Sequence, residues 1–371
     1  MAENSKRATD LQLAAKDGDS PKNITLADKL DIQFMPESSE RAMSMEGFNP
    51  RYRDFVDYII GITHEIWEEK GIGKLYDYYA NTIHFHTASG TIFGREAVFA
   101  STIEAMAAYP DRRLYGDEVI WGGDDQVGLY SSHRLMHEGT NRGWSNYGPP
   151  TGKRVSYLAI ADCLCKRNMV VEEWVVRDEL SKVLQLGLDP VATAKEMAAR
   201  GRDDAAFSAQ IAGDIERGIG QLPPAEWISR PSEAFDPEDF IGQMFHEIWN
   251  WRLLNKAREF YHENFAFEGP TGRSFLGIND FHNYVLSLLS PFPDLAISTD
   301  HFCHVGDAES GWRVATRWTL RGTHTGYGRY GEPTGNPVRL LGITHHLIQD
   351  GLIANEWTVF DEFALLTQIY A

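Results

Sequence analysis

The chain repeats itself, and that repeat limits its fold more than any other feature. His64-Glu65-Ile66-Trp67 returns as His246-Glu247-Ile248-Trp249, and Pro110-Asp111 returns as Pro293-Asp294. From there to Asp178-Glu179 and Asp361-Glu362 the offset holds at 183 without a gap, with 24 of 70 positions identical over residues 110–179. Tyr147-Gly148 matches Tyr330-Gly331, Pro150-Thr151-Gly152 matches Pro333-Thr334-Gly335, and Glu173-Trp174 matches Glu356-Trp357. A unit of this length is a whole domain, far longer than the roughly 20–50 residues of a solenoid repeat. Two copies of one fold follow.

Each copy reads in the same order. An amphipathic helix comes first, carried by Phe55, Tyr58, Ile59, Ile62 and Ile66, and in the second copy by Phe240, Met244, Ile248 and Trp251. A second helical stretch follows near 73–79 and 254–261, then a short strand and turn, 84–94 and 265–277, and a third helix, 96–108 and 280–289. Three strand-like runs come next, 114–121, 127–138 and 155–165, repeated at 295–304, 312–321 and 338–348. A last strand, 169–177 or 352–360, precedes a short C-terminal segment. Helices followed by a meander define an α+β domain. The organisation expected is an N-terminal extension over 1–50, a first domain over 51–187, a helical connector over 188–235 ending near Pro223-Pro224, and a second domain over 236–371. Asp189-Pro190 gives the connector's helix its start signal.

The formal charge of −18 argues against nucleic acid or anionic lipid as a partner. No apolar run approaches membrane-spanning length. The N-terminal residues are polar, without the apolar stretch of a secretory signal. Three cysteines, Cys163, Cys165 and Cys303, fit a reducing cytoplasm. The GxGxxG match at Gly326–Gly331 sits between two strands with no helix after it, so no dinucleotide is expected there. Ser131-Ser132-His133 is no nucleophile triad, because neighbours on a strand point apart.

Gly-Pro-Pro-Thr-Gly-Lys-Arg-Val (148–155), Val-Glu-Glu-Trp-Val-Val-Arg-Asp (171–178) and Gln185-Leu186-Gly187 carry a family resemblance. Their counterparts are Gly-Glu-Pro-Thr-Gly-Asn-Pro-Val (331–338), Ala-Asn-Glu-Trp-Thr-Val-Phe-Asp (354–361) and Gln368-Ile369-Tyr370. These segments resemble the SnoaL-like polyketide cyclases, or ester cyclase-like proteins, of the NTF2-like superfamily. Ser131-Ser132-His133-Arg134 looks like a bacterial subgroup of it, and the second copy keeps only Arg317 of that run. The resemblance implies two tandem α+β cones, each a curved antiparallel sheet covered by N-terminal helices. Such domains pair through their sheets, which implies an internal pseudo-dimer and leaves further homo-oligomer formation open. It also implies a cofactor-free cyclase, isomerase or lyase acting on a small carbonyl or polyketide-like compound. The rival reading is a non-catalytic protein whose apolar pockets bind a small molecule.

Aldol closure needs a base beside a carbonyl and a donor for the enolate oxygen. The resemblance assigns the acid/base to Asp178 and Asp361, near the end of the last strand. The competing role for Asp178 is to cap the segment beginning at Glu179. Asp162, mid-strand among apolar residues, and its counterpart His345 are further catalytic candidates, so the two pockets are expected to differ, with the first copy, carrying His133, Asp162 and Asp178, the active half. His133 is expected to face the first pocket as the acid/base partner. His86, His137, Trp121, Arg317 and His324 complete the expected substrate contacts. His84 with His86 and His133 with His137 share faces in a spacing familiar from metal sites. Their second-copy equivalents read as Phe267, Gly269, Thr316 and Leu320, which excludes the same metal site in both copies. Neither metal nor cofactor is expected.

Overall fold

A computed structural model describes residues 41–201, Trp227, Ser229, Ser232 and 234–371. In the first unit, α1 (Phe55–Thr63) runs on into a π-helical turn at His64–Glu68. Asp54 starts this helix by accepting from the Asp57 N–H at 2.9 Å. The short α2 (Leu75–Tyr78) follows, then the hairpin β1 (Tyr79–Thr87) and β2 (Gly90–Phe93), and α3 (Arg95–Ala108). The long strands β3 (Arg113–Asp124), β4 (Gly128–Thr140), β5 (Arg154–Lys166) and β6 (Met169–Arg177) come next, closed by α4 (Glu179–Gln185). The connector helix α5 (Pro190–Gly201) starts where Asp189-Pro190 predicts, with the Asp189 carboxylate accepting from Ala192 N–H at 2.7 Å. Residues 1–40 and the rest of the connector through Pro223-Pro224 lie outside the described residues.

The second unit repeats the plan. It has α6 (Pro237–Met244) with a π-helical turn at Phe245–Asn250, α7 (Ala257–Phe260), β7 (Tyr261–Gly269), β8 (Arg273–Leu276) and α8 (Ile278–Leu289). Then come β9 (Ala296–Asp307), β10 (Gly311–Thr323), β11 (Pro337–Gln349), β12 (Leu352–Phe360) and α9 (Glu362–Ile369). The repeated His-Glu-Ile-Trp motif marks the π-helical turn in both units. Trp251, expected on the buried face of its helix, falls just beyond that turn and is exposed, while Trp249 is buried. The glycines that open α3 and α8, Gly94 and Gly277, sit at φ of 87° and 86°, which only glycine adopts without strain.

Each unit forms a six-stranded sheet, ordered β2-β1-β6-β5-β4-β3 and β8-β7-β12-β11-β10-β9. The sheets are mixed: β1 runs parallel to β6, and β7 to β12. The expectation of a wholly antiparallel sheet therefore needs correction. No hairpin joins those two strands, so nothing forces them to oppose. Their register also corrects the alignment of the histidines. Glu173 pairs with Phe85 and Glu356 with Phe267, so His84 and His86 correspond to Ala266 and Glu268.

The two sheets pack on each other through the faces turned away from their helices. Ile160 and Val176 meet their own equivalents, Ile343 and Val359, in one buried cluster. Around it the contacts are reciprocal. Arg134 lies 3.9 Å above the ring of Trp357, and its equivalent Arg317 lies 3.6 Å above Trp174. This is the self-complementary pattern of a two-fold dimer, built within one chain. The flanking polar pairs break the symmetry. Ser132 Oγ meets His345 Nε2 at 2.8 Å, whereas Arg317 bonds Tyr130 Oη at 2.7 Å and approaches Asp162 at 3.5 Å. All three cysteines are free and buried. Among the described residues no helix is long and apolar enough to cross a membrane.

Arg317 is the group most exposed to mutation, since its loss leaves Asp162 buried without its cation. Arg317→Met should cost about 3 kcal/mol in urea unfolding. Arg317→Met combined with Asp162→Leu should recover a substantial part of that loss, and equal loss in both variants would contradict this account.

Candidate functional site

The alternation of each strand sends one set of side chains toward the helices. In the first unit that inner face encloses a cavity of about 510 Å³. Its roof is mainly apolar, from Ile59, Ile62 and Ile66 of the first helical segment and Val98 and Ala105 of α3, with Thr63, Ser101, Thr102 and Glu104 on the same helices. Its floor carries the polar groups in rows fixed by register. Glu173 pairs with Cys163, and His133 sits one row further along, beside Ala161. Arg177 is beside Ala159, and His137 is beside Tyr157. The small Ala159 and Ala161 leave the middle of the floor low. Trp144, 73% exposed, stands at the rim.

Glu173 has the most unusual environment. It is buried beside Tyr79, and its Oε2 has no partner among the described residues. Burial pushes its carboxyl up to about 7. Burial also pushes the His133 imidazole down to about 4, so that ring is neutral at physiological pH, and its buried Nε2 has no partner among the described residues. His137 is held well below its ordinary value by burial and by Arg112, Arg177 and Lys182. Arg112 Nη2 lies 3.2 Å from His137 Nδ1. Lys182 pairs with Glu179 at 3.0 Å, and Tyr147 Oη donates to Glu179 at 2.6 Å. The cavity thus has a carboxyl end, a neutral imidazole midway and a cationic end.

The corresponding interior of the second unit is filled by side chains. Val98, Ser101 and Leu135 become Phe281, Tyr284 and Trp318, all buried. Trp318 lies across Gly342, the equivalent of Ala159, so closely that a Cβ there would come within 2.1 Å of the indole. Trp318 Nε1 donates to Thr344 Oγ1 at 2.9 Å. Glu356, the equivalent of Glu173, is fully engaged, accepting from Tyr261 Oη at 2.8 Å and Thr358 Oγ1 at 2.9 Å. One carboxylate position therefore serves as a satisfied core group in one unit and faces open space in the other.

Of the residues singled out in the sequence, His133 and His137 line the cavity. Asp178 caps α4, accepting from Ser181 N–H at 3.1 Å and from Thr271 N–H of the second unit at 2.6 Å. Burial raises its carboxyl to about 6. Asp361 caps α9 through Ala364 N–H at 2.9 Å, and burial, with Glu179 adding repulsion, raises it to about 8. Asp162, His345 and Arg317 lie between the sheets. Burial lifts Asp162 to about 6 against the pull of Arg317, and burial pushes His345 well below its usual range. Trp121 is packed against Phe55, with ring centres 6.2 Å apart. His324 is buried near Thr334, 3.2 Å away, in the connection after β10. His86 is on the outer face, stacked on Trp174 and 3.0 Å from Glu172.

Sequence reasoning passed over Glu173, Arg112, Arg177 and Lys182. The signal for Glu173 was its alternation with Trp174, which sends it to the opposite face of β6 from that ring. His84, His86 and Glu172 bring three donor atoms within 4.8 Å of one another on the outer face. Two imidazoles and a carboxylate suit a borderline divalent ion. One of these imidazoles already shares its nitrogens with Glu172 and Thr91.

Fold and cavity together define a tandem α+β protein of two like units, each a six-stranded mixed sheet with helices on one face. The sequence model of the SnoaL-like polyketide cyclase family matches residues 240–369, the second unit, and the first unit repeats that unit element by element. A search among curated proteins finds no match. Among solved structures, the chain is similar to a protein described as a SnoaL-like polyketide cyclase from Jannaschia sp. CCS1. That match has 20% identity and a TM-score of 0.34, over 38% of this chain and 99% of that one. It is also similar to IdmH from Streptomyces antibioticus, described as a polyketide cyclase, at 24% identity and a TM-score of 0.33, over 37% and 100% of the two chains.

The contrast between the units can be transplanted. Leu135→Trp with Ala159→Gly gives the first unit the second unit's filling pair and should abolish small-molecule binding in titration calorimetry while the fold persists by circular dichroism. Retained binding would place the ligand elsewhere.

Proposed function

We propose that the first unit catalyses enolisation of a small carbonyl or polyketide-like compound, closing or isomerising it without a cofactor, and that the second unit is its structural partner. The observation that carries this reading is Glu173, a buried carboxyl with an unpartnered oxygen at the wall of an open, mostly apolar cavity. A carboxyl poised near neutral pH suits general base catalysis, because it is deprotonated in useful amount yet basic enough to take a proton from carbon. Glu173 removes the proton beside the carbonyl; the electron pair of that C–H bond becomes the C=C bond of the enolate, and the C=O π pair moves onto the oxygen. The neutral imidazole of His133, donating through Nε2, holds the enolate oxygen. The enolate carbon then attacks a second carbonyl of the same molecule, and the new alkoxide recovers the proton from Glu173. Every proton is returned, so the sequence needs no added group.

In this reading the two strand-end aspartates hold helix termini, and Asp162 and His345 hold the units together. The SnoaL-like match of the second unit supports cyclase-type chemistry for the fold, and the open cavity supports placing it in the first unit. A pure binding protein would more naturally satisfy every polar group of its pocket, as the second unit satisfies Glu356.

The test is deuterium exchange into the methyl group of aryl methyl ketones in D2O, followed by NMR. Exchange should rise with pH through about 7 as Glu173 ionises. Glu173→Gln should lower it by roughly 10²–10⁴-fold. The raised carboxyl means folding favours the protonated form, so this stabilising preference fades as pH rises through about 7. Glu173→Gln should accordingly melt higher than the parent above that pH. Exchange unchanged in Glu173→Gln would sink the proposal.

A further inference from the structure

We infer that the end of the cavity opposite Glu173 is an anion subsite built on Arg112 and Arg177, so that the substrate is a carbonyl compound carrying a carboxylate. This rests on the reading that the first unit's cavity is the reactive one.

Arg112, Arg177 and Lys182 all line this end and act together on His137. Glu179 is the carboxylate among them, and it is already engaged by Lys182 and Tyr147. Glu68, also nearby, is taken up by Arg113 at 3.2 Å and by the backbone N–H of Leu114 at 2.5 Å. Among the described residues neither Arg112 nor Arg177 has a carboxylate within ion-pair distance, and Arg112 Nε is buried without a partner. Both guanidiniums are half-buried; one partly withdrawn from water without a counter-ion is unfavourable, and it is the group best shaped to receive a carboxylate through two parallel hydrogen bonds. This positive end lies inside a chain whose overall charge is −18.

The second unit supplies an internal control. At the positions of Arg112, His137, Arg177 and Lys182 it carries Leu295, Leu320, Phe360 and Leu365, all buried. The fold is therefore built equally well without these charges. Their presence in the first unit answers to what enters its cavity. Spacing gives the ligand's length: Glu173 and Arg177 are four residues apart on β6, about 13 Å at roughly 3.3 Å per residue. Allowing for both side chains, a carboxylate some 6–8 Å from the enolisable carbonyl fits between them, the separation that a para-substituted ring or a short chain provides.

The probes are 4-acetylbenzoate and its uncharged isostere 4-acetylbenzamide, titrated calorimetrically into the whole protein. The acid should bind at least about tenfold more tightly than the amide, the difference expected of a charge-assisted bond. Arg112→Leu, the second unit's own residue, should remove that preference. Without ligand the same variant should melt at or above the parent temperature, which an arginine needed for folding would not allow. Equal binding of acid and amide, binding of neither, or an acid preference that survives Arg112→Leu would each overturn the subsite. Deuterium exchange separates the two readings. Selective acid binding without exchange removes enolisation and keeps the anion subsite, whereas equal exchange of both probes does the reverse.

Discussion

The structure depends on one contact, the face-to-face packing of two sheets. A sheet this broad with one face against helices must cover the other, or expose an apolar surface large enough to associate. Here each sheet covers its twin. The centre is apolar, with Ile160 and Val176 against Ile343 and Val359, and two arginine–tryptophan stacks, Arg134 on Trp357 and Arg317 on Trp174, flank it. Because this contact occupies the outer faces, each inner face is left to its own helices. Whether it encloses space or a solid core is then decided locally, by the size of the side chains on α3 or α8 and on the middle strands.

The duplication made the fold legible. Identical residues at a constant offset fixed the number of units and their element order, and the periodicities placed nearly every helix and strand. What remained hidden was long-range direction and register. The parallel pairing of β1 with β6 joins strands far apart in the chain, and no local pattern encodes it. The same blindness shifted the histidine alignment by one residue, which on a strand exchanges the two faces.

The site was legible in part, for physical reasons. His133 and His137 could be placed by alternation within one strand, and both line the cavity. Asp162 and His345 show the limit of that reasoning. A polar residue in an apolar strand signals a special environment, but an interface between sheets and a pocket are equally special, and sequence does not distinguish them. Asp178 and Asp361 show another limit, since a residue that follows a strand and precedes a helix is both well placed for chemistry and ideally placed to cap. Glu173 shows a third limit: its equivalent Glu356 is a satisfied core group bonded to Tyr261 and Thr358, and the same residue type at the same register gives no sign of which copy leaves it facing open space.

Covalent linkage of the two units has a consequence for how such a protein can change. In a dimer of identical chains every substitution appears twice, so a tryptophan that plugs one interior plugs both, and an aspartate introduced at the seam is mirrored by its own copy across the axis. Here Trp318 fills one interior while Leu135 keeps the other open, and Asp162 faces an arginine where its counterpart His345 faces a serine. Fusion has released the halves from symmetry. One can accumulate rigidity and the other vacant, charged space, without either change being copied to its neighbour.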